Sequence, residues 1–281
     1  MTGNSHSFSI EQIISQAREQ GVFREEHLPF LLTPDRPNGC GVLLVHGFTA
    51  SPRELLPLGR ILADKGFLVK GVRLPGHGTS PEDLAVRFQE EWQQAVKEGY
   101  LLLRRQVERI YAVGLSTGAL LVLHLAKELP LVGLVLLSPF LRVRHRLAPA
   151  AGLLRFLIKY QKRPLAANEI EQYYERRPLH GIHQLNRLCR EVRKDLTRIR
   201  IPVLMINGEG DQTIRVDSSL DLFRRLASPH KVFHLYGPEV GHVLTGEENP
   251  RRQEVLDLIQ HTLEYWESPL REPFPEGSVI P

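Results

Sequence analysis

The stretch Tyr111-Ala-Val-Gly-Leu-Ser-Thr-Gly-Ala-Leu120 decides how the whole 281-residue chain is read. It sets Gly114-x-Ser116-x-Gly118 between two apolar runs, residues 110–114 and residues 119–129. The first has the length of a strand. The second has the length of a helix and is apolar on nearly every face. Glycines two residues before and after the serine let the chain turn sharply from strand to helix without a side-chain clash. The hydroxyl then stands at the strand end, beside a helix N-terminus whose partial positive charge favours a developing anion. Ser116 is therefore the candidate nucleophile. The alternative is a tight strand-to-helix turn in which the serine only caps.

Outward from this turn, the same alternation extends in both directions. Strands are expected at 30–33 (an edge strand), 42–45, 67–72, 131–137, 203–206 and 232–236. Helices are expected at 9–21, 88–105, 218–226 and 254–266. Another starts at Ser51-Pro-Arg-Glu54, which reads as a capping box, or at Pro57, and stops at Gly66. Strands alternating with helices imply an α/β fold, a mostly parallel sheet with helices on both faces. The rhythm breaks over 140–195, which has helical composition and no obvious strand. The expected organisation is a core of 1–139 and 196–267, a small helical lid insertion at 140–195 over the carboxyl edge of the sheet, and a loose C-terminal tail at 268–281.

Composition narrows the class. Hydrophobic residues at 42% and charged residues at 24% match a globular chain rather than a disordered one. No apolar run approaches the ~18 residues of a membrane span. The N-terminal residues lack the basic-then-apolar order of a secretory signal. Two cysteines, Cys40 and Cys189, are too few for a disulfide framework, and a reducing cytoplasm is the simpler expectation. The net charge of +4 hides an asymmetry: residues 141–195 carry 13 Lys/Arg against 5 Asp/Glu, so the rest of the chain is net acidic. Such a segment is either a helical insertion with solvated faces or a weak contact for an anionic membrane surface. Nucleic acid is not expected as a partner. Zinc-finger spacing, an aromatic single-strand platform and a Walker-type loop are all missing from the sequence.

A serine hydroxyl needs a base, and twelve histidines compete for that role. His242 follows the late strand at 232–236 through the short loop Gly-Pro-Glu-Val-Gly, which puts it at a carboxyl strand end. His230 precedes that strand, His234 lies inside it, and His261 falls on the final helix. The base needs an acid to hold its tautomer. Asp211 follows the strand at 203–206 through Asn-Gly-Glu-Gly. Of its rivals, Glu209 is close to the strand but points elsewhere, and Asp217 fits better as a cap for the helix at Ser218. The backbone N–H groups of Thr117 and Phe48 are the expected oxyanion donors, the second from the loop Val45-His-Gly-Phe-Thr49 after an early buried strand. His46 reads as a structural hydrogen-bonding residue.

Five ordered segments resemble a known family: Leu44-Val-His-Gly-Phe-Thr-Ala-Ser-Pro, Leu74-Pro-Gly-His-Gly-Thr, Gly-Leu-Ser116-Thr-Gly, Gly-Glu-Gly-Asp211 and Val-Gly-His242-Val-Leu. Together they are similar to the small bacterial carboxylesterases and monoacylglycerol lipases of the α/β-hydrolase superfamily, over about residues 41–266. Pieces of the insertion, residues 170–175 and 191–196, resemble helical parts of that family's lid. The resemblance implies the α/β-hydrolase fold, with Ser116 as nucleophile, Asp211 as acid, His242 as base, and Phe48 and Thr117 as oxyanion donors. Gly76-His77-Gly78 corresponds to a turn near the site. Thr117 stands where many relatives carry an apolar residue.

The activity implied is hydrolysis of carboxylic esters of short-to-medium acyl chains through an acyl-enzyme, with a small-molecule acyl ester as substrate and neither a metal nor an organic cofactor. Leu153, Leu154, Phe156, Leu157 and Ile158 are expected to line the acyl pocket, unless they only pack the lid onto the core. A thioesterase acting on an anionic acyl carrier fits the same triad, and its substrate would suit the basic lid. Carbon–carbon cleavage, a cofactor-free peroxidase reaction and a non-catalytic binding protein on the same scaffold remain open alternatives.

Overall fold

The apolar runs of the sequence become one eight-stranded sheet in the computed structural model, which describes residues 9–142, 151–165, 171–268 and the backbone of 279–280. The first half of the chain contributes α1 (Ile10–Glu19), β1 (Phe30–Leu32), β2 (Cys40–Val45), α2 (Leu56–Asp64), β3 (Leu68–Val72), α3 (Pro81–Leu84), α4 (Gln89–Arg104), β4 (Arg109–Leu115), α5 (Thr117–Ala126) and β5 (Gly133–Leu137). Next come α6 (Ala151–Leu154), β6 (Tyr160–Lys162), β7 (Arg176–Pro178) and α7 (Leu179–Asp195). The remainder is β8 (Val203–Gly208), α8 (Val216–Arg225), β9 (Lys231–Tyr236), α9 (Arg252–Glu267) and β10 (Val279–Ile280).

Sheet order is β1-β3-β2-β4-β5-β8-β9-β10, and every pairing in it is parallel except that of β1 with β3. Side chains alternate between two cores, as the pleat requires. Leu43 and Val45 of β2 join Trp92, Leu120, Leu188 and Leu222 on the face covered by α4, α5, α7 and α8. Val42 and Leu44 join Leu58, Leu62, Ile259 and Trp266 under α2 and α9. Because β2, β4, β8 and β9 run parallel, the loops that leave them emerge along one edge. That edge gathers residues far apart in sequence.

The turn after β4 is tightly determined. Ser116 sits at φ 56° and ψ −110°, a conformation costly for a residue with a side chain. It persists because the flanking backbone is packed without room to relax. A Cβ on Gly118 would lie 1.9 Å from the Val45 carbonyl oxygen, and one on Gly114 would lie 2.4 Å from the Gly118 carbonyl. The Ser116 N–H is held by the Leu137 carbonyl of β5 at 2.8 Å.

Four local expectations need correction. Ser51 makes no side-chain cap; residues Pro52–Leu55 form a 3-10 turn, α2 starts at Leu56, and the Glu54 side chain turns inward to the Gly47 amide instead of back to its own turn. The 140–195 segment contains a small antiparallel hairpin, β6 with β7, made of polar residues whose pairing leaves no hydrophobic alternation to read. Val279–Ile280, expected in a loose tail, pairs parallel to β9, where two β-branched residues extend an otherwise open edge. Residues 269–278 and 281 of that tail, and residues 143–150 and 166–170 of the insertion, lie outside the described residues. Asp217 does not cap: α8 starts at Val216, and Asp217 pairs with Arg215 at 2.6 Å.

Gly118→Ala sets a methyl against a backbone carbonyl that cannot move aside. It is expected to destabilise the protein by about 3 kcal/mol or more, lowering Tm by roughly 6–12 °C in a thermal melt followed by circular dichroism. A Tm within 2 °C of the parent, about what a loss of 1 kcal/mol or less would give, would contradict this packing.

Candidate active site

Three side chains from three loops meet at the carboxyl edge of the sheet. Ser116 comes from the turn after β4, Asp211 from the loop after β8 and His242 from the loop after β9. His242 Nε2 lies 2.9 Å from Ser116 Oγ, and His242 Nδ1 lies 2.6 Å from Asp211 Oδ2. The Asp211 side chain is fully buried, and its other oxygen accepts the N–H groups of Thr213 (2.7 Å) and Ile214 (2.9 Å). Those two bonds aim the carboxylate, and a carboxylate facing Nδ1 selects the tautomer that leaves Nε2 free to accept the hydroxyl proton. Ser138 Oγ donates to the His242 carbonyl at 2.8 Å and so ties the base loop to the end of β5.

The rival residues lie elsewhere. Glu209 is exposed, as are His230 and His261. His234 packs against Tyr236 within β9, the two rings tilted 60° apart. His46 is buried; its Nε2 accepts the Leu74 N–H at 3.2 Å, and its Nδ1–H donates to the Gly47 carbonyl at 2.9 Å. Burial pushes its pKa well below the ordinary histidine value. Burial likewise takes its neighbour His77 down to about 4. Both imidazoles are neutral at pH 7 and act as fixed struts, with the His77 ring edge-on to Phe48 and Trp92.

The two residues expected to supply oxyanion donors, Thr117 and Phe48, lie beside the cavity in front of Ser116. Thr117 is the first residue of α5, so its N–H has no partner within the helix. Phe48 follows Gly47, whose own N–H donates to Glu54 Oε2 at 2.7 Å. Phe48 and Thr117 both border the cavity that contains Ser116 and His242. A hydroxyl, a base oriented by a buried acid, and two amides beside one cavity can carry out acyl transfer.

The walls of that cavity correct the sequence reading. Phe48, Leu115, Phe140, Ile182, Leu185 and Val243 supply its apolar surface; Glu54, Gln161, Arg163, Tyr173 and Arg177 supply polar groups. Of the five expected pocket residues, Leu153, Leu154, Phe156, Leu157 and Ile158, none lines it. Leu153, Phe156 and Leu157 are 74%, 76% and 81% exposed, and Ile158 is exposed as well. The physical reason is which face of the segment packs. Ala151 is buried against Ile182 and Phe48, and this turns the following large residues outward. The spacing Leu179, Ile182, Leu185 at the start of α7 carries a legible inward stripe. Glu54 was hidden behind the capping-box reading, and no local pattern marks Arg163, Tyr173 or Arg177.

Comparisons with known proteins converge on one family. The model of the alpha/beta hydrolase family matches residues 42–256. A carboxylesterase of Bacillus subtilis (strain 168) is 28% identical over 226 residues, covering 78% of this chain and 92% of that protein. A thermostable monoacylglycerol lipase of Bacillus sp. (strain H-257) is 32% identical over 195 residues, covering 68% of this chain and 78% of that protein. Among solved structures, the monoacylglycerol lipase of Paleococcus ferrophilus shares the fold with a TM-score of 0.71 at 21% identity, over 84% of this chain and 97% of that one.

The revised walls lead to a paired test. Leu185→Trp should fill the cavity and lower kcat/KM for a medium-chain p-nitrophenyl ester by at least about tenfold. Leu157→Ser should leave kcat/KM for the same ester within about twofold, as surface substitutions do. The reverse ranking would return the acyl pocket to residues 153–158.

Proposed function

The chain belongs to the alpha/beta hydrolase family, and on that premise we propose that it is a serine ester hydrolase of the carboxylesterase and monoacylglycerol lipase type. It cleaves carboxylic esters of short-to-medium acyl chains through an acyl-enzyme. The observation that carries the reading is the hydrogen-bonded chain Ser116–His242–Asp211, at 2.9 and 2.6 Å, opening on an apolar cavity. The similarity to a carboxylesterase and a monoacylglycerol lipase of Bacillus supports it.

In the proposed reaction His242 Nε2 takes the Ser116 proton as Oγ attacks the ester carbonyl. The carbonyl oxygen becomes an oxyanion and accepts hydrogen bonds from the Phe48 and Thr117 amides. These are dipoles already oriented by the fold, so no reorganisation is needed as the charge develops. Asp211 holds the imidazolium that forms. When the tetrahedral intermediate collapses, the ester C–O bond breaks and the alcohol leaves with the proton from His242. A water then adds to the acyl-enzyme with His242 again as base, and release of the carboxylic acid returns the proton to Ser116.

The segment between β5 and β8 acts in this reading as a lid, since β6, β7 and α7 contribute Gln161, Arg177, Ile182 and Leu185 to the cavity wall, and Arg163, just past β6, adds to it. Its outward row of Leu153, Phe156 and Leu157, beside Arg155 and Lys159, suits a weak contact with an anionic membrane surface. No helix among the described residues is long and apolar enough to cross a membrane. Cys40 and Cys189 are both buried and free, which supports residence in the reducing cytoplasm. A second reading, a thioesterase for an anionic acyl carrier, is favoured by Arg163 and Arg177 in the cavity wall.

The reading is tested with a chain-length series of p-nitrophenyl esters assayed beside acyl-CoA. Esters should be turned over with the higher kcat/KM, and Ser116→Ala should lose on the order of 10⁶ in rate. Acyl-CoA turned over faster would favour the thioesterase. Near-parental turnover by Ser116→Ala, or no labelling of the parent by a fluorophosphonate, would remove serine catalysis. For the membrane contact, sedimentation with phosphatidylserine vesicles should fall in a Phe156→Ser, Leu157→Ser variant. Equal sedimentation of parent and variant would discard it.

A further inference from the structure

Glu54 is a buried carboxylate that the reaction above does not use, and three separate loops of the site converge on it. Its Oε2 accepts the Gly47 N–H at 2.7 Å, its Oε1 accepts the phenolic hydroxyl of Tyr173 at 2.6 Å, and its main-chain carbonyl accepts Thr245 Oγ1 at 3.1 Å. Gly47 precedes Phe48, one of the two proposed oxyanion donors. Thr245 lies three residues past His242. Tyr173 belongs to the segment between β5 and β8. Both side chains of the Glu54–Tyr173 pair are buried, and both border the cavity in front of Ser116.

A surface-directed glutamate in a short helical turn would need no explanation. The neighbouring residue, Arg53, shows that alternative: it points outward and pairs with Glu26 (3.1 Å) and Glu171 (3.8 Å). Glu54 instead gives up its hydration, which is costly for a charge unless its oxygens are paired. Burial accordingly pushes its pKa up, opposed by the hydrogen bonds from Tyr173 and Gly47. The Tyr173 end is itself anchored. The Tyr174 hydroxyl accepts the Thr79 N–H at 2.7 Å and donates to the Gly76 carbonyl at 3.1 Å, and the Arg163 guanidinium lies over the Tyr173 ring. The Gly47 N–H and the Phe48 N–H belong to the two peptide planes that meet at the Gly47 Cα. A rotation at Gly47 would therefore swing the Phe48 donor away from the place where the oxyanion forms.

We propose that Glu54, braced by Tyr173, is a positioning residue that fixes the Phe48 amide for transition-state stabilisation and makes that geometry depend on the seating of Tyr173. The inference rests on the ester-hydrolase reading. It adds a role for a residue that touches neither the nucleophile nor the base. A positioning role of this kind acts on the charge that develops in the transition state, so its loss lowers kcat and leaves KM nearly unchanged.

The test compares Glu54→Leu, Glu54→Gln and Tyr173→Phe, using p-nitrophenyl butyrate and an alkyl trifluoromethyl ketone that adds to the serine and forms an oxyanion. Active sites are counted by end-point titration with a fluorophosphonate, so that misfolded protein does not enter kcat. Glu54→Leu should lower kcat roughly 10- to 100-fold with KM within about threefold, and should weaken the ketone by a matching factor. Glu54→Gln, whose amide oxygen can accept from Gly47 while its NH2 donates to the Tyr173 oxygen, should recover to within about threefold of the parent. Tyr173→Phe should move kcat and ketone affinity together, in the same direction as Glu54→Leu but less. Parental kcat in Glu54→Leu, a lower kcat with unchanged ketone affinity, or Glu54→Gln as impaired as Glu54→Leu would each overturn the proposal. Should Glu54→Leu fail to fold, Tyr173→Phe decides: unchanged kcat and ketone affinity would overturn it. Failure of the parent reading is distinct, since there the parent would show no Ser116-dependent hydrolysis at all.

Discussion

The contact on which the site depends is the approach of Gly118 to the carbonyl of Val45. A Cβ at position 118 would stand 1.9 Å from that oxygen, so α5 and the end of β2 meet backbone to backbone. Interiors packed at this density transmit displacement instead of absorbing it. Ser116 is held at φ 56° from both sides, by this contact and by the 2.8 Å bond from its N–H to Leu137. The same contact sets the spacing between the turn after β4 and the loop after β2. Thr117 and Phe48, the two proposed oxyanion donors, belong to those two segments.

Around this centre the buried groups Asp211, Glu54 and His46 are paired instead of solvated. Asp211 accepts two backbone amides and the His242 ring; Glu54 accepts an amide and a phenol; His46 bridges Gly47 and Leu74. An unpaired buried group would cost about 1–3 kcal/mol, comparable to a sizeable part of a domain's net stability. Each pairing therefore also fixes a loop. Stability and preorganisation come from the same bonds, and the loops after β2, β8 and β9 hold their positions without regular secondary structure.

The segment between β5 and β8 follows a different logic. Small and medium residues, Ala151, Ile182 and Leu185, face the core, while Leu153, Phe156 and Leu157 face outward. Leaving a large apolar side chain exposed forgoes about 1.5–3 kcal/mol of burial. A row of three on one short stretch is consistent with the proposed contact to an apolar or lipid surface. The Tyr173 hydroxyl on Glu54 and the Tyr174 hydroxyl between Gly76 and Thr79 tie this segment to loops of the sheet edge.

What the sequence by itself determined is the periodic part. Strand and helix alternation, the parallel sheet, the Gly114-x-Ser116-x-Gly118 turn and the placement of Asp211 and His242 after late strands are all legible, because each depends on local geometry or on the rule that parallel strands deliver their loops to one edge. The structure brings Ser116, Asp211 and His242 within hydrogen-bonding distance along that edge. Tertiary structure alone decided the rest. Whether Glu54 caps its own turn or reaches Gly47 and Tyr173, whether residues 153–158 face the cavity or the surroundings, and whether Val279–Ile280 joins the sheet are all outcomes of contacts between segments remote in sequence. Local propensity is nearly silent on these. An apolar side chain is marked as apolar by its neighbours in the chain, but its partner is chosen by the packing of elements tens to hundreds of residues away.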